Sequence, residues 1–367
     1  MKRTLSVLIA LVMGLMMLVG CGRPAAGGGG AAPAKSGDSK PASTNAADYG
    51  LKTKVTSDKK VTIRLAYDVA EAHPSHTAFV EKFKKPIEAL SKGNITVELY
   101  PNSQLGSLAE NLEAMRIGDL EMAALNDAVI GAVVPEFNLV GLPYLWTSID
   151  AAHKALDGDF GQLLDKKLQE KTGIRNLAWG DVGFRNITNS AHTIKKPADL
   201  KGLKIRTMTN VLHVEYFTAL GAIPTPMSFS ELFTALQQKT VDGQENPTAL
   251  IYNNALYEAQ KYMSITEHVF TAVNMNIAGK FFDSLPKDYQ ELITEAAKSC
   301  MAEQRKLITE QNSSLADKIK AAGVEVTPLT TAEKDEFQKV ARDTVYKTAA
   351  KNYGQNLIDM AAAHNKK

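Results

Sequence analysis

Three short apolar runs separated by stretches of helical period constrain this chain more than any other feature. VTIRLAY (61–67), ITVELY (95–100) and LEMAAL (120–125) read as strands, the second ended by Pro101 and Asn102. Between the first two, Phe79, Phe83, Ile87 and Leu90 recur at helical spacing. Between the second and third, Ser107 and Glu110 form a capping-box pattern ahead of a helix that stops near Gly118. A βαβαβ rhythm predicts a parallel sheet covered by helices, an α/β architecture. In such sheets ligands bind beyond the carboxyl ends of the strands, where loops 68–75 and 126–129 fall.

The alternation continues. A second lobe is expected to begin near NLAWGDVGFRNITNS (176–190), and LKIRTM (203–208) has the period of a strand. Residues 211–220 read as a helix stopped by Gly221, and Ser228 with Glu231 reads as a second capping box opening ELFTALQQ. The strand-like TVDGQENP, a helix over 250–262 and a strand over 270–277 follow. A long helical pattern starting at Pro286, well suited to a first helical position, runs to about residue 321. At 1.5 Å per residue it spans about 50 Å, enough to brace two lobes.

The beginning of the chain reads as an export signal. Lys2 and Arg3 precede an apolar run over 5–19, and LVGC ends it at Cys21. That order matches a secretory signal peptide (1–20), and LVGC resembles the lipobox in which the cysteine receives a lipid. The protein is therefore expected outside the cytoplasm, held on the outer face of a bacterial membrane, in the periplasm or at the cell surface. Residues 21–57 are dominated by Gly, Ala, Pro and Ser and are expected to form a flexible leash. About 310 residues remain, which suits two lobes better than one core.

Loss of Lys2 and Arg3 leaves 40 basic against 40 acidic residues, so nothing points to nucleic acid. Cys300 is the only cysteine after Cys21; it sits in a helical run and reads as a buried, inert thiol rather than half of a disulfide.

Enzyme signatures are absent: there is no GxSxG, HExxH, P-loop or GxGxxG pattern. His73 and His76 in HPSH lack a clustered third ligand, so the sequence points to a turn and helix cap rather than a metal. No metal and no cofactor is expected. Arg206, in the strand of LKIRTM, is the residue that asks for an explanation.

The stretches LKGLKIRTMTN, ALGAIPTPMSFSELFTALQQKTVDGQENPTALIYNN and YEAQKYMSITEHV resemble the solute-binding proteins of TRAP (tripartite ATP-independent periplasmic) transporters, of the C4-dicarboxylate-binding DctP type. VELYPNSQLGS, EFNLVGLPYLW and GFRNITNS fit the same family. The resemblance covers roughly residues 61–347. It implies a two-lobed periplasmic-binding-protein-like fold, with lobe I at 58–183 and 272–311, lobe II at 184–271 and 312–361, and a ligand cleft between them. It also implies that Arg206 forms a paired salt bridge with a ligand carboxylate, that Arg185 and Asn246 add contacts, and that Phe229 packs against the ligand. A planar guanidinium fork meets a carboxylate bidentately, which suits that role. Arg185 has the alternative of a structural ion pair, Asn246 of a turn residue before Pro247, and Phe229 of a core aromatic. Asp68, Asn126 and Asn210 lie just past strands, where ligand contact and turn chemistry are equally served. Trp179 reads as core, and Lys239, where many relatives carry glycine, as a surface change.

These readings describe a binding protein rather than an enzyme. It would capture a small organic acid, a C4-dicarboxylate or related acid, and deliver it to the small and large membrane subunits of a permease driven by an ion gradient. Two arginines facing the cleft point to a dicarboxylate or an acidic sugar derivative rather than a simple monocarboxylate. The rival classes are a sensory module presenting the same ligand to a membrane receptor, and a secreted hydrolase or lyase.

Overall fold

The computed structural model describes residues 45–365. The expected signal peptide, Cys21 and most of the leash lie outside them. Within them no helix is long and apolar enough to cross a membrane.

Among the described residues nine strands form one sheet: β1 (Val61–Ala66), β2 (Ile95–Tyr100), β3 (Met122–Asn126), β4 (Ile174–Asn189), β5 (Lys204–Thr207), β6 (Ile223–Pro226), β7 (Gly243–Asn246), β8 (Tyr262–Ala278) and β9 (Glu325–Pro328). Their order is β2-β1-β3-β8-β4-β7-β5-β6, with β9 also on β8. β1 pairs in parallel with β2 and β3, as the βαβαβ rhythm predicts. β5 lies parallel to β6 and β7, giving the second lobe its own parallel set.

Two long antiparallel strands join these sets. β8 pairs with β3 through residues 273–277 and with β9 through residues 262–265, so one strand serves both lobes. β4 runs along it and pairs with β7 through residues 186–189. β8 is longer than the strand expected over 270–277, and no strand was expected for β4. Gly180 and Gly183 make β4 look like a turn, yet each glycine admits close packing: a Cβ on Gly180 would come within 2.6 Å of Gln304 and Met301 on the bracing helix.

That helix, Lys287–Ala321, begins one residue later than read, because Pro286 is its N-cap. It buries Leu292, Ile293, Ala296, Ala297 and Cys300 against the first lobe and Leu315 and Ile319 further along. Cys300 is thus an interior thiol whose pKa burial pushes well up. Trp179 also lies in the core as expected, stacked on Phe137 at 5.7 Å.

Three local readings change. The helix expected over 250–262 stops at Asn253, where Ala255 takes a left-handed backbone; a short turn of helix follows and β8 begins at Tyr262. Ser228 bonds the side chain of Glu231 rather than capping the helix Phe229–Gln237. Lys239 is exposed, but at φ +57°, the left-handed region where a glycine sits at less cost.

The leash also ends earlier than residue 57. Glu295 accepts the amides of Lys52 and Thr53, and Asp288 accepts those of Thr56 and Ser57, all at 2.7–3.0 Å. Both carboxylates stand on the bracing helix, and Leu51 is buried beside them. A carboxylate that takes two amides and a hydroxyl satisfies backbone donors that an irregular strap otherwise leaves to water.

Candidate ligand-binding site

The carboxyl ends of β1 and β3 from one lobe, and of β5 and β7 from the other, enclose a cavity of about 120 Å³. By the space one ordered water needs, that is room for roughly eight to twelve water-sized groups. Of the residues expected at the site, Arg206, Arg185, Asn246, Phe229, Asn126 and Asp68 line it.

Arg206 stands on β5 between Thr225 and Gln244 of its neighbours, and only 2 % of it is exposed. The face it shares with the exposed Lys204 is therefore not solvated at Arg206, where the cavity wall closes around it. Its Nε and Nη2 donate to the carbonyl of Met227 at 3.1 and 2.8 Å. Its Nη1 is buried on the cavity wall with no partner. Burial, and then the nearby charge of Arg185, pull the Arg206 pKa down to about 10, still protonated at neutral pH. A guanidinium is thus held with its free end toward an enclosed space and no counter-ion bonded to it.

Arg185 differs. A shift of register in the β4–β8 ladder beside it displaces residues 265–268, a bulge that re-aims local side chains. Its Nε and Nη2 grip the carboxylate of Glu245 at 2.5 and 2.9 Å, and Nη2 also reaches the Glu245 carbonyl. Only Nη1 remains, with Thr271 Oγ1 at 3.4 Å. The fork of Arg185 is spent on an ion pair, and one N–H end is left on the cavity. Burial works to raise the Glu245 pKa, but Arg185 and His268 overcome it and hold the carboxylate well below its usual range. His268 Nε2 sits 3.3 Å from Glu245.

Asn246 is buried on β7 and donates to Gln244 Oε1 at 2.5 Å. Phe229, the first residue of its helix, is half-buried and packs on both the first-lobe core and the small second-lobe core. Asn126 caps the helix Asp127–Gly131, accepting from Val129 at 3.0 Å, so turn chemistry and cavity lining are combined in one residue. Asp68 is half-buried; enclosure raises its pKa to about 6, against the pull of Arg206.

Asn210 is not on the cavity wall. It caps the helix Val211–Ala219 through its Oδ1 and donates to the Asn138 carbonyl at 3.1 Å, so both polar ends are committed to the protein. It is a structural tie and leaves the list of ligand contacts.

Three residues at or behind the cavity wall carry a weak sequence signal, His73 and Asp181 on it and Glu245 behind it. Glu245 adjoins Asn246, and only its place on a fully buried strand marks it as an arginine's partner. His73 is the helix cap expected of HPSH, taking Ser75 N–H at Nδ1 (3.3 Å), but its Nε2 faces the cavity region with no partner. Burial lowers its pKa to about 3, so it is neutral. Asp181, inside the glycine-broken stretch of β4, is held by His153 at 2.7 Å and leaves Oδ1 without a hydrogen bond. Among the described residues no cluster of His, Cys, Asp and Glu is arranged to hold a metal ion.

One neighbouring carboxyl group gives a test of these electrostatics. Asp127 is buried, with Oδ1 accepting the Ala272 amide at 2.9 Å and Oδ2 unpartnered, and burial raises its pKa to about 7. A raised carboxyl pKa gives stability that is complete below the ordinary value and lost as pH rises through the folded one. Asp127→Asn should therefore melt like wild type near pH 4 and be more stable at pH 8, by a few kcal/mol at about 1.4 per pH unit of displacement. Urea melts at both pH values check this; equal effects at the two would show the carboxyl is not displaced.

Residues 65–352 match the family model of bacterial extracellular solute-binding protein, family 7. The chain is 34% identical over 265 residues to the 2,3-diketo-L-gulonate-binding periplasmic protein YiaO of Escherichia coli, covering 72% of this chain and 80% of that one. The solved structure of a sugar acid-binding protein from Advenella mimigardefordensis, in complex with galactonate, superposes with a TM-score of 0.80 at 34% identity, over 84% of this chain and all of that one. A TRAP periplasmic solute-binding protein from Sulfurospirillum deleyianum with bound succinate gives 0.80 at 28% identity, over the same shares.

Proposed function

We propose, for a chain that belongs to bacterial extracellular solute-binding protein family 7, that Arg206 is the anchor for the carboxylate of a small organic acid delivered to a TRAP permease. The family consists of solute-binding proteins rather than enzymes, and similar structures hold small organic acids such as galactonate and succinate.

The observation that carries the proposal is the Nη1 end of Arg206, buried, charged and without a partner on the cavity wall. A carboxylate placed there takes two N–H bonds from the Nη1 and Nη2 end while the Met227 carbonyl keeps the other edge fixed. In this reading Asn246 and the remaining Nη1 of Arg185, which line the same cavity, add bonds to the same anion, and Phe229 covers its hydrocarbon. Cleft walls drawn from both lobes mean that ligand favours closure, because both sets of contacts exist only when the lobes meet. In this reading the lobes are 58–183 with 272–311 and 184–271 with 312–361. The loaded, closed form is what docks on the permease, and the LVGC pattern at Cys21 supplies a lipid that keeps the receptor on the membrane.

The test is stoichiometry and fate. Calorimetry with an organic-acid panel should find an acid that binds once per chain and is recovered unchanged after long incubation. Protein-dependent consumption of the acid would place the chain among enzymes instead.

A further inference from the structure

We infer that the cavity selects a hydroxylated monocarboxylate, an aldonate-type acid of four to six carbons, over a dicarboxylate, through Asp68, Asp181 and His73. The inference rests on the reading of Arg206 as the carboxylate anchor and adds what the rest of the ligand must be.

Charge comes first. The cavity wall holds two cations and two carboxylates. Arg185 is already neutralised by Glu245 at 2.5 Å, so Arg206 alone offers an unmatched positive charge, enough for one carboxylate. Of the anions, Asp181 is bonded to His153, and its nearest cation, Arg305, stands 3.9 Å from Oδ1 while gripping Asp157 at 2.7 and 2.9 Å. Asp68 senses Arg206, whose bonds go to Met227. A second ligand carboxylate would meet these acids in an enclosed space with no cation of its own, and like charges there exclude each other.

Hydrogen-bond inventory points the same way. The bond from Ser75 N–H to His73 Nδ1 puts the imidazole hydrogen on Nε2, a buried donor with no partner. Asp181 Oδ1 is a buried acceptor with no hydrogen bond. Both residues line the cavity, together with Ser75, Ser103 and Ser107. A ligand hydroxyl both accepts and donates, so a chain of hydroxyls satisfies histidine and aspartate at once. A carboxylate satisfies only the histidine, and a bare methylene chain satisfies neither and leaves buried polar groups unpaired.

Calorimetric titration of the whole chain with C4 to C6 aldonates, from erythronate to the hexonates, with succinate and with butyrate tests this. At least one aldonate should bind about 100-fold or more tightly than succinate and butyrate, the discrimination open to a site built around ligand hydroxyls. Asp68→Asn, half-buried and isosteric, should cut the preference over succinate by about tenfold or more, chiefly by strengthening succinate, whose second carboxylate then meets one like charge fewer. Succinate binding as tightly as the best aldonate, with that binding lost in Arg206→Lys, would overturn this inference and keep the anchor. An unchanged preference in Asp68→Asn would also overturn it. Binding of no acid at all would remove the anchor reading, and this inference with it.

Discussion

Glu245→Gln is expected to destabilise the empty protein by about 3–5 kcal/mol, because it leaves the buried Arg185 charge without its carboxylate. For a body of this size that is a fall on the order of 10 °C in melting temperature. The pair is fully interior, with Arg185 1% and Glu245 0% exposed, so water cannot take over for the lost partner. The pH dependence has a definite sign. Glu245 is held below the ordinary glutamate value of 4.5, so its contribution is complete above that value and fades as pH falls below it. The gap between wild type and Glu245→Gln should accordingly narrow in acid. Adding Arg185→Met to Glu245→Gln should recover much of the loss, since it removes the uncompensated buried charge. Thermal melts of wild type and the two variants decide it; a double variant as unstable as the single would show that Glu245 holds something other than Arg185.

Arg206 gives the largest effect on binding. Arg206→Lys keeps a charge but loses the fork, and should weaken the acid by about ten- to several-hundred-fold, or about 1.4–3.5 kcal/mol. Arg206→Ala should weaken it further. The melting temperature of the empty protein should move little, because Arg206 bonds only the Met227 carbonyl and carries an unpaired charge whose removal offsets the lost bonds. Normal binding in Arg206→Lys together with a large loss of stability would make Arg206 structural and move the search to the Nη1 end of Arg185.

The contrast between these two arginines marks where sequence reading succeeds and where it stops. β1, β2 and β3 announce themselves because each has apolar residues in a short run bounded by turn residues, and the bracing helix because its apolar stripe persists over 35 residues. β4 does not, because its two inner glycines mimic turns while serving close packing against Gln304 and Asn312. β6, with two prolines in four residues, is admissible only as the edge strand it proves to be. At the site, the sequence pattern and the resemblance bring both Arg206 and Arg185 to the cavity wall, where they lie. Which of the two keeps a free end was not legible, since it depends on where Glu245 lands across the β4–β7 ladder, a long-range pairing without local period. His73 was read as a cap, and it is one; that its second nitrogen faces the cavity region follows only from the fold. Asn210 has the residue type and position of a ligand contact, but its amide nitrogen donates to the turn at residues 135–141 and its Oδ1 caps its own helix at Leu212, so both polar ends are taken.

The most direct measurement pairs a change in the protein with a change in the ligand. The tightest acid of the panel and its primary amide, which lacks the charge, are titrated into wild type and into Arg206→Ala. If the carboxylate sits on the free end of Arg206, wild type should prefer the acid strongly, and Arg206→Ala should bind acid and amide almost alike, a coupling of about 1.5–3 kcal/mol. An acid-over-amide preference that survives undiminished in Arg206→Ala would contradict the account.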